Sequence, residues 1–287
     1  MHTKEELYAN KIFFNAALPL IKVIAQDVPS LKKQYEKVHA VIQVSALDPE
    51  AEGGKIGMHY VINGPDDWLI HLNKVDPKPH VELEFKSVEA MNAFFKGKIS
   101  PATLPKMRGI AKHFGAFKAF LMTLLKMSRV LSATTPPEKE EDKQLMVKCM
   151  FYLLSSGISQ LNKMGHDEIH NWALKSPDRV YALAVDGHPE VSAFIRIKAG
   201  KSRAGRGEYN VQCRSSHFAL THLMRLSAHF SELTICSRQL SRDISSWTVL
   251  PSSAVSSAAL CSQSATLQIT YTYKKNLSLR IGSFIML

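Results

Sequence analysis

Two histidines four residues apart, His166 and His170, form the clearest metal-binding pattern in this chain of 287 residues. Residues at i and i+4 lie on one face of a helix, so two imidazoles at this spacing can chelate a metal ion. The metalloprotease signature needs a glutamate directly after the first histidine, and here that position is Asp167. No third ligand is evident in the sequence. We therefore interpret the segment as a polar helix face and predict no metal site.

The basic segment Gly200–Gly207 contains the Gly-Lys-Ser triplet that is found in phosphate-binding loops. A Walker A loop also needs a glycine five residues before that triplet, and Ile195 occupies the position. The segment lies between predicted strands, so no helix N-terminus would face a phosphate group. We predict a basic, glycine-rich turn over 198–207, followed by a strand over 208–214.

Signatures of covalent or acid–base catalysis are not evident. The chain has no G-x-S-x-G element for a nucleophilic serine and no paired-carboxylate motif. Its cysteines lack CxxC spacing, which favours a reducing compartment over a disulfide framework or a zinc site; they are Cys149, Cys213, Cys236 and Cys261. We predict a protein that is not an enzyme and has no cofactor. The N-terminus lacks a signal core and no run of 18 apolar residues exists, so we expect a cytoplasmic protein without a membrane span.

Phenylalanine and methionine instead concentrate in two predicted helices, 87–97 and 109–131. These side chains form an ordinary core in one interpretation and line an apolar ligand cavity in the other. Methionine is flexible and polarisable, which suits a cavity for varied apolar ligands. Six residues of these helices are the candidate ligand-binding set: Met91, Phe94, Phe95, Phe114, Phe117 and Leu121.

The elements that must position these residues occur twice along the chain. Asn63-Gly64 and Asp186-Gly187 each lie between two alternating apolar runs, 123 residues apart, and each dipeptide tolerates the positive φ of a hairpin turn. Each hairpin follows a helical segment, so the pattern predicts two related helix-then-sheet units. Pro19 is expected to kink or split the first helix, and Ser87 to cap a later one.

The net charge of +11 leaves three interpretations open. Lysines alternate singly with apolar residues, as on the solvated face of a helix, but a basic balance also suits an anionic membrane or nucleic acid. Basic strands with interleaved aromatic residues are missing, which argues against nucleic acid. We therefore expect no nucleic acid, keep transient contact with an anionic membrane open, and leave the oligomeric state undetermined.

The composition changes abruptly after about His217. The 70 residues from Phe218 to Leu287 contain 14 serines, and the preceding 217 residues contain the same number. Helical and strand periods are both weak in this tail. Two interpretations compete: a natural divergent, partly disordered end, or a slipped reading frame near His217. The change falls inside the second copy of the repeat, which favours the slipped frame.

The order of the first unit resembles the sterol carrier protein 2 family. The resemblance rests on three strands, the acidic alternation of Val81–Phe85, the helix and Gly-Lys turn of Ser87–Ile99, and a long apolar helix. It implies an α+β fold with a mixed sheet covered by helices, in two tandem units. The expected domains are 10–132 (lipid-binding), 133–142 (linker), 143–217 (partial second domain) and 218–287 (serine-rich tail).

The same resemblance implies non-enzymatic binding or transfer of a sterol, fatty acid or acyl-CoA in a tunnel between sheet and helices. Two alternatives differ in function. The domain would present a lipid substrate to an enzyme, or it would be a structural or interaction module with a filled core.

Overall fold

The computed structural model describes residues 3–95, 98–133, 137–185 and 188–209, and for 221–226 the backbone alone. The described residues form two compact units, unit 1 up to Ala133 and unit 2 from Pro137 onward. Each unit combines helices with one β-sheet that contains both parallel and antiparallel pairs. The protein is therefore of mixed α+β architecture, as the sequence predicts at this coarse level.

Unit 1 contains a five-stranded sheet in the order β3-β2-β1-β4-β5, in which β1 and β4 are parallel and the other neighbours antiparallel. Its elements are α1 (Lys4–Ile12), a π-helical turn (Phe13–Ala17), α2 (Leu20–Asp27), α3 (Pro29–Lys32), a 3₁₀ turn (Lys33–Tyr35), β1 (His39–Leu47), β2 (Lys55–Asn63), β3 (Asp67–His71), β4 (Val81–Phe85), α4 (Val88–Phe95), β5 (Lys106–Arg108) and α5 (Phe114–Ser132).

Local sequence signals of unit 1 act as predicted. The hairpin of β2 and β3 turns after Asn63, and Gly64 takes a φ of 84° that glycine adopts without steric cost. The N-terminal helix is interrupted before Pro19, at the π-helical turn. The Ser87 hydroxyl accepts a hydrogen bond from the Ala90 amide (3.1 Å), so Ser87 caps α4.

The N-terminal helical segment bears on the expectation that the chain has no membrane span. By length and composition alone, Lys4–Asp27 is long and apolar enough to cross a membrane. The sequence criterion misses it because polar residues such as Asn10 and Asn15 interrupt the apolar run. In the structure 67% of its most apolar stretch is buried inside the protein, which is how a core helix of a globular unit is placed.

Helices cover one face of the unit 1 sheet. Successive strand residues point to opposite faces, and the alternating set Ile42, Val44, Tyr60, Ile62 and Leu83 is buried beneath the helices. The α4 helix packs on α1, β1 and β4, whereas α5 packs on α2, α3 and β1. The opposite face carries a polar cluster, described below.

The segment before α5 corrects the predicted start of that helix. The apolar pattern predicts a helix from Gly109, but residues Lys106–Arg108 form β5 against β4 and the helix begins at Phe114. Gly109 has a φ of 76°, in the left-handed region, and a Cβ there would lie 1.9 Å from the His80 carbonyl oxygen. The close approach of these two chain segments therefore needs glycine and ends the strand.

Unit 2 contains a four-stranded sheet in the order β8-β7-β6-β9, with β6 and β9 parallel and the other neighbours antiparallel. Its elements are α6 (Glu140–Lys163), α7 (Asp167–Lys175), β6 (Arg179–Val185), β7 (His188–Lys198), β8 (Lys201–Arg206) and β9 (Thr221–Leu226). The hairpin predicted around Asp186-Gly187 is present as the antiparallel pair of β6 and β7.

The predicted basic turn of unit 2 is wrong in its extent. The turn is confined to Ala199 and Gly200, which both have positive φ, and β8 follows at once as the third strand. Small residues let this basic segment pack as a strand. The Phe194 ring occupies the space beside Gly205, because a Cβ added at Gly205 would lie only 2.0 Å from that ring. Glu208 and Tyr209 lie outside the strand, and 210–214 lie outside the described residues.

Of the predicted tail, 218–287, the structure describes only the backbone of β9; the remaining positions lie outside the described residues. Both interpretations of the tail therefore stay predictions. The expected linker, 133–142, contains the first residues of α6, which begins at Glu140.

Candidate functional site

Five phenylalanine rings form one cluster on the helix-covered face of unit 1. Their centroid separations are 5.7 Å for Phe13–Phe14, 3.9 Å for Phe13–Phe95, 5.4 Å for Phe85–Phe94, 5.6 Å for Phe85–Phe95 and 5.3 Å for Phe94–Phe95. We call this set the phenylalanine cluster. Phe14, Phe85 and Phe95 are buried, whereas Phe13 and Phe94 are half-buried. The cluster therefore forms an aromatic surface that is partly exposed at Phe13 and Phe94.

A second aromatic group on the same face is part of the core. The Tyr60 ring contacts Trp68 and Phe120 edge-on, and Tyr35 contacts Trp68. The Tyr60 hydroxyl donates to the Leu18 carbonyl (2.7 Å), the Trp68 indole donates to the Gly64 carbonyl (2.9 Å), and Tyr35 Oη and Thr123 Oγ1 are 2.9 Å apart. Burial raises the pKa of both tyrosines, so they stay neutral. With each polar group paired, this group is a closed structural core.

The structure divides the six predicted ligand-binding residues into two sets. Met91, Phe94 and Phe95 lie on α4, where both phenylalanines belong to the phenylalanine cluster and Met91 is fully buried. Phe114, Phe117 and Leu121 lie on α5, and among the described residues the rings of Phe114 and Phe117 make no ring contact with the cluster. Phe117 and Leu121 are half-buried, and Phe114 is 60% exposed.

The buried face of α5 lies beside the face that carries the predicted ligand-binding residues. Its buried residues are Ala116, Ala119, Phe120, Thr123, Met127 and Val130. Apolar side chains surround most of α5, so apolar spacing alone does not select the face that packs inward. The small residues Ala116 and Ala119 bring the helix close to its neighbours, and Thr123 binds Tyr35. Phe13, Phe14 and Phe85 were missed as site residues, since their contacts with α4 join distant parts of the chain.

The other face of the unit 1 sheet carries a polar cluster that sequence reasoning missed. Glu82 Oε1 accepts hydrogen bonds from Gln43 Nε2, Ser45 Oγ and Lys55 Nζ, each 2.8 Å long. Glu84 accepts from Lys55 as well, and from Arg108 over 2.7 Å. Alternation along Val81–Phe85 puts both carboxylates on one face, which is the signal that could have revealed them. Their cationic partners come from β2 and β5 and are not adjacent in sequence.

Electrostatics favour the ionised forms of Glu82 and Lys55 in this polar cluster. Burial opposes ionisation of Glu82, but the hydrogen bonds from Lys55, Gln43 and Ser45 outweigh it and lower the pKa of Glu82. Burial likewise opposes the charge on Lys55, and its bonds to Glu82 and Glu84 raise the pKa of the ammonium. Two carboxylates facing two cations form a neutral network across β1, β2, β4 and β5. Such a network ties the four strands together, and the lowered pKa of Glu82 keeps that carboxylate from exchanging protons near neutral pH.

Two histidines lie next to this network. The His59 and His71 rings stack with centroids 4.6 Å apart, and His59 Nδ1 lies 2.8 Å from the Lys74 carbonyl oxygen. Within the described residues, no group of three or more His, Cys, Asp or Glu side chains is arranged to hold a metal ion.

The histidine pair predicted from spacing lies in unit 2, where α7 begins. His170 Nδ1 is 2.9 Å from Asn162 Oδ1, and Asn162 also donates to Ser202 Oγ (2.9 Å) and to the Gly200 carbonyl (3.0 Å). These bonds tie α6 and α7 to the turn before β8. His170 thus serves a structural hydrogen-bond network in the described part of unit 2.

Comparison of the chain with protein-family models, with curated proteins and with solved structures finds no match.

Proposed function

We propose that unit 1 binds an apolar lipid (a sterol, a fatty acid or an acyl-CoA) without catalysing its conversion. The observation that carries this proposal is the phenylalanine cluster, in which five rings meet and two of them, Phe13 and Phe94, remain half-buried. A half-open surface built from aromatic rings favours an apolar ligand over a polar one.

The energetics of such a site need no catalytic group. Each CH₂ group of a lipid chain that leaves water gains about 0.8 kcal/mol. Met91 lies on the same helix as Phe94 and Phe95, and its flexible side chain supports adjustment of the cluster to ligands of different shape. A ligand that packs against Phe94 would contact α4 on the face that already holds Phe85.

The sheet topology also supports the proposal. Unit 1 has a mixed sheet with helices on one face, which is what the resemblance to sterol carrier proteins implies. The strand orders β3-β2-β1-β4 and β8-β7-β6-β9 correspond, with the same parallel pair in each. This correspondence supports the interpretation that the two units are tandem copies. We further infer a cytoplasmic location, supported by the cysteine spacing.

The test combines native mass spectrometry of the full-length protein with displacement of a fluorescent fatty acid. A co-purifying lipid, or saturable displacement at micromolar concentration, is the expected result. Phe94→Asp should weaken binding by at least about tenfold, because it introduces a charge into the apolar cluster. Phe114→Asp is the matched control, since the same change at a 60% exposed position should leave binding unaltered. Phe117→Asp tests whether the site extends to α5.

Circular dichroism of each variant separates lost binding from lost folding. The proposal fails if the wild-type protein carries no lipid and binds no fluorescent fatty acid. It fails as well if Phe94→Asp folds and binds like the wild type. A filled structural core predicts the first of these results.

A further inference from the structure

The outer face of α5 combines exposed large apolar side chains with positive charge. Residues Phe114, Lys118, Met122, Leu125 and Arg129 follow one another at steps of three or four, so they form a single stripe along the helix. Phe114, Met122 and Leu125 are 60%, 43% and 46% exposed. We call these five residues the α5 stripe. A surface helix normally presents polar residues there, so the stripe calls for a physical explanation.

The surrounding sequence has a strong charge bias. From Ala90 to Pro137 the chain contains eight lysines and arginines and no aspartate or glutamate. This segment therefore carries +8 of the net charge of +11. Further exposed apolar side chains precede α5 in the same segment, namely Ile99, Leu104 and Met107.

The combination selects one class of partner. Apolar side chains flanked by lysine and arginine match the headgroup region of an anionic bilayer, where acyl chains accept the apolar groups and phosphates attract the cations. An acidic protein would need a preformed apolar groove that matches the spacing of these three side chains. An anionic bilayer supplies the apolar phase and the negative charge together and needs no matching shape, so it is the partner that we favour.

We propose that the α5 stripe docks unit 1 onto anionic phospholipid membranes. The proposal rests on the proposed function, for which it names the source and destination of the lipid. Phe114 then acts at the membrane surface and has no part in the ligand site. The other predicted α5 residues, Phe117 and Leu121, lie off this outer stripe.

Vesicle flotation of the full-length protein tests the docking. The protein should bind phosphatidylcholine vesicles that contain phosphatidylserine, bind pure phosphatidylcholine weakly, and dissociate as the salt concentration rises. Replacing both charges (Lys118→Gln with Arg129→Gln) should weaken binding by about 25-fold, at about a factor of five per charge. Replacing the apolar residues (Phe114→Gln, Met122→Gln and Leu125→Gln) should weaken it at least as much.

The matched control is Lys201→Gln with Arg203→Gln, which removes two exposed charges from β8 of unit 2. Equal weakening by this control would assign binding to net charge and overturn the proposal. Unchanged binding of the apolar variant would show simple electrostatic adsorption and overturn it too. Fatty-acid displacement without vesicles separates the two proposals: docking with no fatty-acid binding refutes the proposed function alone, and fatty-acid binding without docking refutes this inference alone.

Discussion

Removing the Lys55 ammonium is the sharpest test of the polar cluster on the unit 1 sheet. Lys55 lies between Glu82 and Glu84, whose side chains are only 6% and 9% exposed. In Lys55→Met the apolar stem is kept and the charge is lost, so two neighbouring carboxylates stay buried, and among the described residues Arg108 still pairs with Glu84. Loss of one partner of a buried ion pair costs about 3–5 kcal/mol. Because Lys55 is 22% exposed and Arg108 remains, we expect the lower end, about 3 kcal/mol.

The variant also has a pH signature. The folded-state pKa of Glu82 is lowered, so the network stabilises the protein above the unfolded-state pKa and loses that contribution as the pH falls through the folded-state pKa. Without Lys55, the pKa of Glu82 in the folded state is lowered less. The stability difference between wild type and Lys55→Met should therefore be largest near neutral pH and should narrow as the solution becomes acidic.

Urea unfolding monitored by Trp68 fluorescence measures this effect, because Trp68 is buried in unit 1. Trp172→Phe and Trp247→Phe make it the sole tryptophan of the three in the chain. The matched control is Lys32→Met, which removes an exposed pair with Asp66 and should cost less than about 1 kcal/mol. A loss in Lys55→Met no larger than in this control, or a loss that does not change with pH, would refute the reasoning.

Three further predictions concern the framework of unit 1. Gly109→Ala should destabilise unit 1 by more than about 2 kcal/mol, because φ is positive and the new Cβ would clash with the His80 carbonyl. The control Gly115→Ala, which lies in a helix with open space around the new Cβ, should be neutral or stabilising by up to about 1 kcal/mol. Equal urea midpoints for the two variants would contradict this prediction. Ser87→Ala should cost about 1 kcal/mol by removing the cap of α4, and a Ser87→Asp variant should restore most of it. The fragment 10–132 should unfold cooperatively on its own, since it contains the full sheet and all the covering helices except Lys4–Ala9 of α1; a non-cooperative or insoluble fragment would count against this boundary.

Patterns that act over a few residues predict much of unit 1. Alternation predicts β1 to β4, and Pro19 and Ser87 mark helix boundaries from steric and hydrogen-bonding rules that need no tertiary structure. The strand β5 could not be predicted in this way, because its three residues are exposed and it is fixed by pairing with β4. In unit 2, β8 could not be recognised because its cations, Gly205 and the flanking Gly200 and Gly207 are typical of a turn.

The candidate sites depended more on contacts between distant segments. Glu82 and Glu84 are visible in sequence as an alternating pair, but Lys55 and Arg108 are brought to them by the register of β2 and β5. The phenylalanine cluster likewise joins α4 to the π-helical turn and β4. Apolar spacing could not orient α5, since both its buried and its exposed faces carry large apolar residues.

The π-helical turn of Phe13–Ala17 changes the phase of the N-terminal helix. Its Leu18 amide bonds to the Phe13 carbonyl (2.9 Å), five residues back, which is equivalent to one extra residue in the helix. Residues before and after the turn are therefore rotated by about 100° relative to a continuous α-helix. In this rotated position, the side chains of Lys11 and Asn15 donate hydrogen bonds to Asn73, and the Phe13 ring contacts Phe95. Deleting one residue here would keep the hydropathy of the segment but swing α1 out of register with its partners, so this short turn sets which side chains α1 presents.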